Sequence, residues 1–382
     1  MVLGDIDQNR WSLGLERVKE ALDRLGHPEQ TFRHVLVAGT NGKGSTCIYL
    51  ERILAAGGLH VGTTLSPHLS SFSERFRIDS SDVKEQELAN VRALIQGDLE
   101  DVGLTYFEWC VVLAAKIFAE HKVDIGIFEI GLGGRFDASN VMDPEISLIT
   151  AISLDHTDYL GDSTSKIARE KAAIARPGRP LLTTAAGSAL EVIKGYADLI
   201  GAHLSVIHRP TAHVTGMKGP EQDLNAALAV QAGLALGVNI SVRQLAYALN
   251  TAFLPGRLES IGGRVIMDVA HNPASMQVLV KYLESKGFDG VGVFGVLADK
   301  DYSTMVHQLM QVCTRIHIAA VLSERSWRDQ DMMKYDENPV IERFASITQA
   351  FAHALNYGKD IVVTGSFYSV GEVRESLVCT GY

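Results

Sequence analysis

Apolar and polar positions follow two alternating rhythms along the chain. Short β-branched runs read as buried strands: HVLVAG (34–39), HVGTTL (60–65), DIGIFEIG (124–131), ISLITAI (146–152) and RPLLTT (179–184). Nearly continuous apolar runs of this length suit strands covered on both faces. Between them, STCIYLERILAAG (45–57) and FEWCVVLAAKIFAEHK (107–122) carry helical spacing. Strand–helix alternation predicts a parallel sheet covered by helices. A second series follows Pro255: RVIMDVA (264–270), GVGVFGVL (290–297), RIHIAAV (315–321) and DIVVTGS (360–366). Two α/β domains are therefore expected, joined near LPGRLES (254–260), where Pro and Gly interrupt the preceding helix.

Composition narrows this picture. The chain has 382 residues, more than one hydrophobic core usually supports. Its 46% hydrophobic and 21% charged residues suit a soluble globular enzyme and argue against disorder. A net charge of −10 disfavours nucleic acid or an anionic membrane as the main partner. Cys47, Cys110, Cys313 and Cys379 form no CxxC pair and read as free thiols in a reducing cytosol. MVLGDIDQNRW lacks the basic and apolar regions of a signal peptide. The most apolar stretch, 224–240, is interrupted by Asn225 and Gln231 and is too short for a membrane span. A cytoplasmic monomer is expected.

AGTNGKGST (38–46) follows one predicted strand and opens a helix, the context a phosphate loop requires. Glycines, Gly42 and Gly44 among them, let backbone N–H groups turn inward, the helix N-terminus adds partial positive charge, and Lys43 brings a full one. Ser45 would reach the magnesium of a bound ATP through its hydroxyl. The spacing departs from the usual P-loop, because Gly44 separates the lysine from Ser45.

The GTNGKGS spacing resembles the Mur ligase superfamily, and within it the folylpolyglutamate synthase and dihydrofolate synthase family. LSPHLSSFSERFRI (65–78), LTYFEW (104–109), FEIGLGGRFDASNV (128–141), SLDHTDYLGD (153–162), IAREKAAIARPGRP (167–180), PGRLE (255–259), DVAHNP (268–273) and VTGSFYSVGEVR (363–374) match that family in order. The resemblance implies an α/β fold with a P-loop-containing parallel-sheet N-terminal domain over 1–253. A smaller Rossmann-like α/β domain, the glutamate ligase domain, would occupy 254–382. It further implies an ATP-dependent ligase that adds L-glutamate to dihydropteroate and to tetrahydrofolate through an acyl phosphate.

Ser66, Glu129 and His156 each fall near the end of a predicted strand, where ligands gather in open parallel sheets. A hydroxyl, a carboxylate and an imidazole could hold magnesium, although each alone serves equally well as a structural residue. By resemblance, they and Ser45 are the metal ligands. Lys171 reads physically as a solvated helix lysine; by resemblance it is a carbamylated lysine beside the metal. Ala173 stands where the family usually has glycine. Asn225, in an HQxxNAxxA-like helix, would meet adenine, with Glu221 where the family commonly has histidine. Arg257 would contact phosphate, Asp268 the ribose or adenine, and His271 the phosphates. ADKD (298–301) reads as a surface loop, near the nucleotide or simply solvated.

Substrate positions rest on the resemblance. Thr105, Tyr106, Phe107, Glu108, Phe136, Asp137 and Ala138 would hold the pterin, with Phe107 suited to stack on a flat heterocycle or equally to fill a core. Asp155 is a candidate base for the attacking amine. Between 184 and 219 the chain looks shorter than most relatives, which could alter the cleft or leave one activity. A peptidoglycan-type Mur ligase would need a UDP-binding domain before the loop, and a P-loop kinase leaves PGRLE and DVAHNP unexplained.

Overall fold

A computed structural model describes residues 2–4, 6–7, 12, 14–210 and 213–380. Side chains of 378–380 lie outside this description, Cys379 among them, as does most of the stretch 1–11. The chain forms two compact units, one comprising 1–153, 157–216 and 222–253, the other 154–156, 217–221 and 254–382.

Among the described residues the first unit carries eight strands: β1 (Arg33–Ala38), β2 (Val61–Thr64), β3 (Phe76–Ile78), β4 (Ser81–Asp82), β5 (Ile125–Glu129), β6 (Ile146–Ile149), β7 (Pro180–Thr183) and β8 (His203–Val206). Its helices are α1 (Glu16–Arg24), α2 (Lys43–Ala56), α3 (Glu85–Leu99), α4 (Tyr106–Glu120), α5 (Thr157–Leu160), α6 (Thr164–Ala172), α7 (Gly187–Ile200), α8 (Pro220–Ala235) and α9 (Val242–Asn250). The sheet order is β4-β3-β2-β5-β1-β6-β7-β8, parallel except where β3 meets β2 and β4. Strands β1, β5 and β6 are buried almost throughout, as their unbroken apolar runs require. Gly62 and Gly126 are register partners whose missing side chains make room for the rings of Phe118, Phe32 and Phe128.

The second unit contains β9 (Glu259–Ile261), β10 (Val265–Met267), β11 (Val291–Phe294), β12 (Arg315–Ala319), β13 (Ile341–Phe344) and β14 (Ile361–Thr364). They lie in the order β13-β12-β11-β14-β10-β9, with only β9 antiparallel. Helices α10 (Pro273–Ser285), α11 (Tyr302–Leu309), α12 (Asp329–Met332), α13 (Ile347–Leu355) and α14 (Phe367–Thr380) accompany them. Trp327 is fully buried against Phe294, and its indole N–H donates to the Ala319 carbonyl at 2.8 Å, so no polar atom is stranded.

Every strand expected from the two apolar series forms. The sheets also contain β3, β4, β8, β9 and β13, which the apolar pattern does not announce. The run 146–152 leaves the sheet after Ile149, so His156 stands well past the strand rather than at its end. No helix among the described residues is long and apolar enough to cross a membrane. Cys47, Cys110 and Cys313 are buried free thiols, and burial pushes the Cys110 thiol up to about 11.

Candidate active site

In the first sheet, β2, β5, β1 and β6 are neighbours, so their carboxyl ends gather four chain segments along one edge. The loop after β1 is fixed by contacts that only glycine permits. Gly39 has φ +149°, and a Cβ there would lie 1.7 Å from the Thr150 hydroxyl. Gly42 has φ +92°, and its Cβ would lie 2.4 Å from the Asn225 amide oxygen. Thr40 locks the loop to the segment after β6: its N–H donates to Ala151, and its hydroxyl donates to the Ser153 carbonyl at 3.1 Å. Lys43 curls over the loop, its ammonium donating to the Gly39 and Thr40 carbonyls at 3.2 and 3.1 Å. The result is an electropositive N-terminus of α2 facing a tightly turned loop.

Ser45, in the first turn of α2, is 1% exposed, and its hydroxyl has no hydrogen-bond partner among the described residues. Thr46, Thr63 and Thr364 carry orphaned hydroxyls too, but that of Ser45 stands in the first turn of the helix that opens from the glycine loop, where it is available to a ligand. Glu129 ends β5, is buried, and accepts the Ser66 N–H at 2.8 Å. The hydroxyl oxygens and the carboxylate are the hard donors magnesium prefers, and the orphaned Ser45 hydroxyl supports the fit.

Lys171 is buried at 4% exposure, not solvated as its helical context alone suggests. A Cβ on Gly134 would meet the Glu170 carbonyl at 2.6 Å and the Lys171 Cα at 3.0 Å, so the loop after β5 packs directly on α6. Ala173, the C-cap of α6, has φ −66° and ψ −4°, a negative-φ conformation that its methyl adopts without backbone strain. Asp137 holds this loop closed by accepting the N–H groups of Gly131, Leu132 and Ser139, each at 2.9 Å. Burial nevertheless pushes its carboxyl up to about 6.

The other expected substrate positions divide into two kinds. Thr105 and Glu108 form a capping box at the start of α4, and Glu108 also takes a bidentate pair from Arg17 at 2.7 and 3.1 Å. Tyr106 and Ala138 are buried, with the Arg75 guanidinium 5.4 Å from the Tyr106 ring. Trp109 is a core aromatic. Phe107 is half-buried, packed against Gly131 and the edge of the core, and Phe136 is exposed.

In the second unit, β11, β14 and β10 are adjacent, and the segments leaving their carboxyl ends meet the short stretch 154–156. Asp155 is buried and accepts from Lys300 Nζ at 2.6 Å and Asn272 Nδ2 at 3.0 Å, with His271 Nε2 3.4 Å away. Burial alone would raise its pKa, but His271, Lys300 and His156 together hold the carboxylate far below its usual range. Such a group does not accept a proton near neutrality, which argues against Asp155 as a base. Lys300 is therefore no solvated loop lysine: its side chain is 8% exposed. His156, at φ +50°, places Nε2 3.5 Å from the Lys300 ammonium.

Asp268 follows β10 and accepts the N–H groups of Leu258 at 3.0 Å and Ala270 at 2.9 Å, while burial raises its pKa. This clamp holds Leu258 in the left-handed region at φ +47° and so shapes the PGRLE turn that presents Arg257. Arg257 lies over Phe367, 5.3 Å from the ring centre. The His271 Nδ1 contacts the Val269 carbonyl at 2.9 Å. Asn225, assigned to adenine by resemblance, sits on the phosphate loop in the first unit. Lys300 and Asn272 are partners that sequence reasoning did not assign, because they meet Asp155 across more than a hundred intervening residues.

Residues 37–180 match the Mur ligase middle domain, and residues 256–367 the Mur ligase glutamate ligase domain. The chain is 33% identical to the dihydrofolate synthase/folylpolyglutamate synthase of Escherichia coli strain K12, covering 95% of this chain and 91% of that protein. The protein of the same description from Bacillus subtilis is 32% identical, with 95% of each chain covered. Among solved structures, E. coli FolC in complex with DHPP and ADP superposes with a TM-score of 0.90 at 32% identity, covering 99% of this chain and 96% of that one. A bifunctional folylpolyglutamate synthase/dihydrofolate synthase with Mn, AMPPNP and L-glutamate bound gives 0.88 at 32% identity, covering 97% of this chain and 95% of that one. The chain belongs to the dihydrofolate synthase/folylpolyglutamate synthase family of the Mur ligases.

Proposed function

We infer that this protein is an ATP-dependent ligase that joins L-glutamate to dihydropteroate and to tetrahydrofolate, releasing ADP and phosphate. One observation carries the ATP-binding half of this reading. The Gly39–Ser45 loop places a lysine ammonium and a buried serine hydroxyl, unpartnered among the described residues, at one helix N-terminus. The folate half rests on the family membership and on the DHPP, ADP, AMPPNP and L-glutamate named for similar structures.

Lys43, Gly42, Gly44 and the N-terminus of α2 would bind and orient the ATP phosphates. Ser45, Ser66 and Glu129 would hold magnesium, with His156 added by resemblance, and the bound ion would neutralise charge on the transferred phosphoryl group. A substrate carboxylate oxygen attacks the γ-phosphorus as the bond to ADP breaks. The glutamate nitrogen then attacks the acyl carbon, loses its proton, and phosphate leaves. Lys43 and Arg257 stabilise the charge that develops in transfer, where positioning and electrostatics dominate. Lys171, carbamylated by resemblance, would add a buried carboxylate on α6, where the loop after β5 packs. Asn225, Asp268 and His271 would bind nucleotide, Asp268 and Asp155 chiefly by positioning Arg257 and His271. Phe107 and Phe136 would flank the pterin, supported by Asp137 and Ala138, while Thr105, Tyr106 and Glu108 fix the helix that carries Phe107. The chain would act on these small molecules as a cytoplasmic monomer, sedimenting at the mass of one chain.

The test is ADP release with each pterin acid in turn, with and without L-glutamate and magnesium. Glutamate-dependent turnover with both acids is expected. Turnover with one assigns a single activity, and turnover with neither overturns the folate reading.

A further inference from the structure

The second unit holds a cluster that plays no part in the ligase chemistry above. His317 on β12 and Glu342 on β13 are register partners on adjacent parallel strands, so their side chains share one face of the sheet. Helix α13 packs on β12 and β13 and brings His353 to the same place. The His317 Nδ1 lies 2.9 Å from the Ala350 carbonyl. A carbonyl only accepts, so Nδ1 carries the proton and Nε2 is left as a lone pair.

That Nε2 belongs to a fully buried side chain and has no hydrogen-bond partner among the described residues, and neither has the buried Nδ1 of His353. Glu342 Oε2 lies between them, 3.8 Å from the first nitrogen and 3.9 Å from the second. Both separations exceed a hydrogen bond. Buried polar atoms are seldom left this way without a ligand to satisfy them.

We propose that His317, Glu342 and His353 form a site for a zinc-type divalent cation. Two imidazoles and a carboxylate are a common zinc set, leaving a fourth position for water. An imidazole whose other N–H is held by a backbone carbonyl is how zinc-bound histidines are usually oriented. The three ligand atoms lie within 4.8 Å of one another. Bonds of about 2.0–2.1 Å in tetrahedral geometry place ligands roughly 3.3 Å apart, so modest rotation of Glu342 and His353 closes the set. Both side chains are 40% or more exposed, which leaves room for that rotation and a route for the ion. Phe344 and Tyr357 wall the cluster, the former 4.7 Å from His317 and the latter 5.6 Å from His353. The nearby Arg315 is drawn aside, its guanidinium over Tyr357. A bound ion would fasten the edge strand β13 and helix α13 to β12.

Cobalt(II), then zinc, titrated into the metal-free chain with excess magnesium present, tests this. Excess magnesium would fill the oxygen site proposed above near Glu129, and cobalt bound to oxygen donors in six-coordinate form absorbs only weakly, so the strong visible bands of four-coordinate cobalt report the His317 cluster. One equivalent of zinc should abolish those bands and raise the thermal midpoint. Glu342→Gln and His353→Gln, both at partly exposed positions, should lose the bands and weaken zinc affinity at least about tenfold. No zinc binding at micromolar concentration, or identical spectra and affinity in both variants, would overturn the site.

Discussion

At the scale of single residues, the most consequential arrangement is the buried carboxylate of Asp155 between Lys300, Asn272 and His271. Removing one partner of a buried pair leaves an uncompensated charge, and such losses run to about 3–5 kcal/mol. Lys300→Met should fall near the lower figure, since Asn272 and His271 still contact the carboxylate. The pH dependence has a fixed sign. The Asp155 pKa is depressed in the folded chain, so its stabilisation is complete above the unfolded value of about 3.9 and fades as pH falls below it. The gap between the natural chain and Lys300→Met, measured by urea unfolding, should be large at pH 7 and shrink below about pH 4. Adding Asp155→Asn to Lys300→Met should restore part of the loss at neutral pH, because the two changes share one interaction. Additive losses would show that the pair is not coupled.

At the scale of elements, the loop between β5 and the helical turn at 138–141 depends on Asp137 accepting three backbone N–H groups. Asp137→Asn replaces one acceptor with a donor, so at least one buried N–H loses its partner, at about 1–3 kcal/mol. The raised pKa adds a second signature. A carboxyl with a folded value of about 6 contributes stability that is complete below about 3.9 and lost as pH rises through 6. That slope should be missing in Asp137→Asn, and stability profiles from pH 4 to 8 would reveal it; parallel profiles would show that Asp137 is not buried as described. Much of this level is legible in the sequence. The apolar runs locate β1, β2, β5, β6, β7, β10, β11, β12 and β14, and GTNGKGS locates the phosphate loop. What escapes is short or held from elsewhere. FRI and SD are too brief for a period of two to register, HLSV and IERF are half-exposed edge strands, and β9 lies within the Pro-Gly linker motif. Local pattern also misjudges Lys171 and Lys300, because burial of a lysine is decided by tertiary neighbours that no window of sequence contains.

At the scale of the whole molecule, two α/β units each bring the carboxyl ends of adjacent parallel strands to one edge, as nucleotide-binding sheets do. Because the chain forms two units, a single unfolding midpoint need not report one equilibrium, and a local readout is preferable. Hydrogen exchange read peptide by peptide supplies it. A non-hydrolysable ATP analogue with magnesium should slow exchange in the peptide covering 37–50, where Gly39–Ser45 would bind phosphate. Ligand that binds only the folded loop stabilises it by about 2.7 kcal/mol at a hundred times its dissociation constant, a roughly hundredfold slowing for amides that exchange through local opening. Lys43→Ala should lose that protection and at least about a hundredfold in turnover, while exchange in peptides of the second core, such as 291–297, keeps its ligand-free rate. Protection of 37–50 that survives Lys43→Ala would mean that the loop holds nucleotide without its lysine, and unchanged exchange in the natural chain would remove the loop from the ATP site altogether.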